Sequence, residues 1–136
     1  MNVYKIFGGK FAKDYIVQGY AKYELGDYQG AIADFTEVVR LAPNDSNAYY
    51  CRGNSKVKLG DYQGAIADFT EVIRLDPNDA NAYFSRGYAK YELGDKKVAI
   101  ADYNEAAQLF KQQSLTDNYP KTADLVESLY QFKRVS

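Results

Sequence analysis

The sequence predicts an all-α fold, an α-solenoid of antiparallel helix-turn-helix repeats, and three observations predict it. The first is a fixed offset of 34 residues: "LGDYQGAIADFTEV" begins at Leu25 and again at Leu59. Gly19, Gly53 and Gly87 keep that spacing, as do Gly26, Gly60 and Gly94, and Ala31, Ala65 and Ala99. The second is that apolar residues inside each copy recur near the helical period. The third is punctuation, a Gly-Asp pair midway through each copy and Pro43 or Pro77 near its end. Residues 12–45 and 46–79 share 22 of 34 positions, and 46–79 and 80–113 share 15, so the copies run on without insertion. A fixed period of this length marks stacked units, each burying its apolar face against the next.

The elements follow in order. Residues 1–11 hold Val3, Tyr4, Ile6, Phe7 and Phe11 around Gly8 and Gly9, and read as an N-terminal tail, a partial helix or a docking segment. The first repeat, 12–45, starts with a helix carrying Tyr15, Ile16, Gly19, Tyr20, Tyr23 and Leu25, with Asp14 as its expected N-cap. Gly26 can end that helix in a left-handed conformation, and Asp27 can cap the next one. From Tyr28, the residues Ala31, Ile32, Phe35, Val38, Val39 and Leu41 share one face of a second helix, which Pro43 stops. Gly19 and Ala31 are small enough for two backbones to approach, with Phe35 filling the space beyond.

Asn44-Asp45 and Asn78-Asp79 supply capping oxygens for the second repeat, 46–79, and the third, 80–113. Lys111 stands where the third repeat should have proline, so its second helix is expected to continue through Gln112 and Gln113. A loop, "SLTDN", then leads into a C-terminal capping helix within 114–136. There Ala123, Val126 and Tyr130 form a stripe beside Leu125, Leu129 and Phe132, with Asp117 or Asn118 as cap and Pro120 in the first turn.

Composition narrows the function. The chain has 136 residues, the size of one domain. Lys and Arg total 17 against 18 Asp and Glu, so no basic excess points to nucleic acid. No apolar run is long enough to span a bilayer, and a cytoplasmic chain off the membrane is the expectation. Cys51 is the only cysteine, which leaves no internal disulfide and suggests a small hydrophobe packed in a helix in a reducing compartment. Histidine is absent, which removes the commonest general base and metal ligand. No phosphate loop, zinc spacing or nucleophile elbow appears. The expectation is a non-enzyme with no catalytic residues, no cofactor and no metal.

Three copies of an aromatic, glycine, alanine, aromatic and proline pattern resemble the tetratricopeptide repeat (TPR) family. The carrying residues are Tyr15, Gly19, Ala31, Phe35 and Pro43; then Tyr49, Gly53, Ala65, Phe69 and Pro77; then Tyr83, Gly87, Ala99 and Tyr103. The resemblance implies a right-handed superhelix whose first helices line a concave groove for extended peptides or partner helices. It assigns to that groove Lys13, Ile16, Tyr20, Tyr23 and Glu24; Asn47, Tyr50, Asn54, Val57 and Lys58; and Asn81, Phe84, Tyr88, Tyr91 and Glu92. Tyrosine suits recognition surfaces, and the asparagines suit peptide amides, although the same aromatics serve equally as packing between helices. Some members of the family grip a C-terminal carboxylate with basic residues. The matching positions are Ile16, Tyr20, Cys51, Asn81 and Ser85, none of them basic, so the groove suits a neutral or mixed-charge, partly aromatic segment.

Departures from the family pattern raise further expectations. Gln18, Arg52 and Arg86 stand where the family has leucine, and Lys22, Lys56 and Lys90 where it has tyrosine; these columns are expected to border the core with long stems packed and the charged heads in water. Asp34, Asp68 and Asp102 read as a solvated acidic column. Glu24, Lys58 and Glu92 are expected to alternate in sign along successive helices, most simply as surface ion pairs. The leading expectation is a protein-interaction module for a protein or peptide partner. The alternative is a self-assembling array, a homo-oligomer formed by repeat stacking or terminal-helix exchange.

Overall fold

Residues 10–117 and residues 128, 129, 131 and 132 are described by a computed structural model. They form α1 (Ala12–Glu24), α2 (Tyr28–Leu41), α3 (Ser46–Lys58), α4 (Tyr62–Leu75), α5 (Ala80–Glu92) and α6 (Lys96–Asp117). No strand occurs among the described residues, and the architecture is an all-α solenoid of helical repeats. The chain divides inside α4 into two compact units, the first ending at Asp68 and the second beginning at Phe69.

The Gly-Asp pair makes each hairpin. Gly26, Gly60 and Gly94 sit at φ of 81°, 78° and 92°, a left-handed conformation that costs glycine no steric penalty. That bend returns two N–H groups to the end of the helix just completed. Gly26 N–H bonds the Tyr23 carbonyl at 3.0 Å and Asp27 N–H bonds the Lys22 carbonyl at 2.8 Å. The same aspartate then starts the next helix: its side chain accepts from Gly30 N–H at 2.9 Å, and Asp61 accepts likewise from Gly64 at 3.0 Å. In the third copy valine replaces that glycine, and the bond from Val98 N–H to Asp95 lengthens to 3.3 Å. Asp45 and Asp79 cap α3 and α5 through Ala48 and Ala82. Asp14 is not the N-cap of α1. Phe11 holds that place, and the Asp14 carboxylate reaches back from the third helical position to accept Phe11 N–H at 3.0 Å.

Each unit has its own core. In the first, Ala31, Phe35, Val38 and Ala48 are buried, with Tyr15, Ile16, Tyr23, Val39 and Cys51 packed against them. A Cβ on Gly19 would lie 2.9 Å from Phe35 Cζ, so the Phe35 ring occupies the space that glycine leaves open. In the second, Ala99, Tyr103, Ala106, Leu109 and Phe110 are buried together with Leu129, and Phe84, Tyr91 and Phe132 pack at the edge.

The acidic column is buried, not solvated. Asp34, Asp68 and Asp102 retain 7%, 2% and 4% exposure. The reason lies in register: Ala31, Asp34, Phe35 and Val38 form a single i, i+3, i+4, i+7 stripe, and that stripe faces the core. In the second and third copies the basic heads are likewise withdrawn from water to meet the carboxylates, whereas Lys22 of the first copy stays more exposed. Arg52 grips Asp68 through Nε at 3.0 Å and Nη2 at 2.7 Å, while Lys56 Nζ approaches at 3.0 Å. Arg86, Lys90 and Asp102 repeat the arrangement at 2.8, 2.7 and 2.9 Å. Arg52 also donates to Thr36 Oγ1 of the preceding copy and Arg86 to Thr70 Oγ1, both at 3.3 Å, so each guanidinium ties two repeats. The carboxylate hydrogen bonds hold both guanidinium groups above their ordinary pKa, against the opposing effect of burial.

At the C-terminal side, the loop expected at 114–118 is not formed over 114–117. With neither proline nor glycine in "KQQSLTD", α6 continues to Asp117, which is thus a helix end instead of a cap. The expected capping stripe at Ala123, Val126 and Tyr130, and its cap candidate Asn118, lie outside the described residues. Ser128, Leu129, Gln131 and Phe132 are helical, with Leu129 buried. Residues 1–9 also lie outside the described residues.

Candidate functional site

Gly19 sets up a concavity within the first unit. Because α1 has no side chain there, the Phe35 ring enters from α2, and Tyr20 stands edge-on to it, 5.4 Å between centroids and 83° between planes. Tyr20 is thereby fixed yet 45% exposed. One turn later Tyr23 packs edge-on to Tyr28 at 5.3 Å. On α3, Asn47, Tyr50, Cys51 and Asn54 fall at i, i+3, i+4 and i+7 and face the same space. Together with Glu24 these residues line a cleft of about 310 Å³ within the first unit, between α1 and α3.

Three of its seven lining residues are tyrosines, which give apolar ring area with a polar tip. Cys51 Sγ and Tyr20 Oη share a hydrogen bond at 3.3 Å that links the two helices across the cleft. That hydrogen bond, followed by burial, pushes the Tyr20 phenol up to about 12 from 10.0. Burial raises Tyr23, and burial also raises the Cys51 thiol, partly offset by Tyr20. The cleft therefore presents neutral phenol and thiol groups near neutral pH, suited to hydrogen bonding and to apolar contact, not to nucleophilic attack. Among the described residues no group of three or more His, Cys, Asp or Glu side chains is placed to hold a metal.

The structure brings together Tyr20, Tyr23, Glu24, Asn47, Tyr50 and Asn54 from the expected groove set. Ile16 and Val57 are half-buried and do not line the cleft, and Ile16 packs into the core. Lys13 and Lys58 are exposed and do not line the cleft, with Lys13 Nζ 5.9 Å from the Phe11 ring centre. No ion pair joins Glu24 to Lys58 among the described residues, and both residues are exposed, where a salt bridge contributes little. In the second unit Asn81 and Glu92 are exposed and Tyr88 is 40% exposed. Phe84 packs on Tyr103 at 5.4 Å, and Tyr91 on Phe132 at 5.9 Å. For Phe84 and Tyr91 the packing role is the one the geometry shows.

Cys51 is the lining residue the groove assignment missed. Its place four residues after Asn47 and three before Asn54 was the available signal. No helix among the described residues is long and apolar enough to cross a membrane.

A family model described as TPR repeat matches residues 19–60 and again 53–94, and one described as tetratricopeptide repeat matches 80–113. The chain belongs to the tetratricopeptide repeat family. No curated protein sequence matches this TPR chain. Solved structures resemble it in fold. The TPR2B domain of yeast Sti1, in a pHsp70 complex, is 24% identical at a TM-score of 0.77, over 90% of this chain and 95% of that one. PcrH in complex with the chaperone binding region of PopD is 19% identical at 0.77, over 90% and 88%. The first TPR of Spaghetti (RPAP3), bound to the HSP90 peptide SRMEEVD, is 21% identical at 0.72, over 88% and 90%.

Proposed function

We propose that this TPR chain is a non-catalytic interaction module that holds an extended peptide or a partner helix against the first helices of its repeats. The observation that carries this reading is the cleft between α1 and α3, lined by three tyrosines and two asparagines together with Glu24 and Cys51. Asn47 and Asn54 offer both donors and acceptors to a peptide backbone, and Tyr20 and Tyr50 offer rigid apolar area with a polar tip. The similar TPR structures in complexes with peptides lend support at the level of fold. The positions at which relatives of the carboxylate-gripping kind carry basic residues hold Ile16, Tyr20, Cys51, Asn81 and Ser85 here, so a terminal carboxylate is a poor fit.

The test is capture of a partner from a lysate of the source cells by the wild-type chain and by the Tyr20→Ala, Tyr88→Ala double variant. The variant should keep its helical circular dichroism and lose the captured partner. Equal capture by both proteins discards the reading.

A further inference from the structure

The charge of the cleft goes one step beyond the proposed function and rests on it. Glu24 is the single charged side chain lining the cleft, it is exposed, and it enters no ion pair among the described residues. Its neighbours reinforce the sign. Asp45, which caps α3, adds to the upward push on Tyr20 and Cys51, and Glu24 adds to that on Tyr23.

Tyrosine rings in this chain already carry cations. Lys96 Nζ lies 5.5 Å from the centre of Tyr91, and the Arg52 and Arg86 guanidinium groups stand 5.6 Å from Tyr49 and Tyr83. Tyr91 is the third-copy counterpart of Tyr23, within the segment "GYAKYELGD" that both copies share. The counterpart of Lys96 in the first copy is Tyr28, which meets Tyr23 ring to ring. At Tyr23 the first copy thus has the ring, with the Glu24 carboxylate beside it, but among the described residues no cation stands over that ring as Lys96 does over Tyr91.

We propose that the cleft between α1 and α3 receives a lysine or arginine side chain of the bound segment, with Glu24 as counter-ion and Tyr20, Tyr23 and Tyr50 as walls. A cationic head on a long apolar stem matches this composition: the stem lies along the rings, and the head gains both the carboxylate and the ring faces. A volume of about 310 Å³ accommodates such a side chain with accompanying water.

The experiment pans random linear peptides against the complete 136-residue chain. Selected peptides are remade with each Lys or Arg replaced by norleucine, and binding is measured on wild type, Glu24→Gln, Glu24→Lys and Tyr20→Ala. One basic position should be enriched, and its replacement should weaken binding to wild type about tenfold. The same replacement should change little on Glu24→Gln, and Glu24→Lys should reject the basic peptide. Glu24 is exposed, so both variants are expected to fold, which circular dichroism verifies. Peptides that lack a preferred cation, or that tolerate norleucine, yet lose binding to Tyr20→Ala would overturn the cation site and leave the cleft reading intact. Peptides that bind Tyr20→Ala as tightly as wild type would overturn both.

Discussion

At Gly19 two small effects oppose each other, and their sizes decide the sign. Alanine is the better helix former by about 1 kcal/mol. The added methyl, however, meets the Phe35 ring at 2.9 to 3.1 Å, and Phe35 is 1% exposed and edge-packed on Tyr20. Overpacking a closed core costs about 1 to 3 kcal/mol. Gly19→Ala is therefore expected to lower stability in urea denaturation and to weaken partner capture by shifting Tyr20. A variant at least as stable as its parent would show that the ring yields and that the tight approach is not needed. The duplicated glycine has a looser setting: at Gly87 the nearest atoms are Asp102 Cβ and Tyr103 Cδ1 at 3.2 Å, so the corresponding change should cost less.

Between paired helices, ion clusters hold the buried carboxylates. Asp68 is nearly enclosed and depends on two cations of α3. Removing one partner of a buried pair leaves a charge poorly compensated, at a cost of about 3 kcal/mol. Arg52→Met preserves much of the stem packing and should still lose about that much in urea denaturation. The first copy supplies the reverse experiment. Gln18 occupies the arginine position there, and Asp34 Oδ2 has only Lys22 Nζ at 2.9 Å, without hydrogen-bond geometry. Gln18→Arg should add about 1 kcal/mol by the same measurement, since a hydrogen bond to a charged group contributes modestly once desolvation is counted. Loss of stability in that variant would show that α1 and α2 are spaced differently from α3 and α4.

These clusters also show what was hidden in the sequence. Helix starts, stops and hairpin turns were legible because each depends on one or two adjacent residues, as at Gly26-Asp27. The burial of Asp34, Asp68 and Asp102 was not, because it depends on which residue of the facing helix lies opposite, a contact between Arg52 and Asp68 across sixteen positions. A signal existed in the buried stripe, where aspartate keeps the i+3 place beside alanine and phenylalanine. The continuation of α6 over 114–117 was half legible, since Lys111 already removed the stop.

For the molecule as a whole, the repeat period explained the fold, and the first-helix positions explained most of the cleft. Six of its residues were assigned by column alone, but Cys51 was not, since a lone cysteine reads as packing until a neighbouring helix places Tyr20 against it. The remaining groove assignments divide by environment: Phe84 and Tyr91 serve the core of the second unit, whereas Tyr88 keeps an exposed ring. Function thus turns on whether the α1–α3 cleft is where a partner sits. The most direct measurement is amide chemical-shift mapping of the isotope-labelled chain titrated with a peptide selected by panning. The changes should concentrate at Tyr20, Glu24, Asn47, Tyr50 and Asn54. Changes confined to α2 and α4, with α1 and α3 silent, would contradict the account.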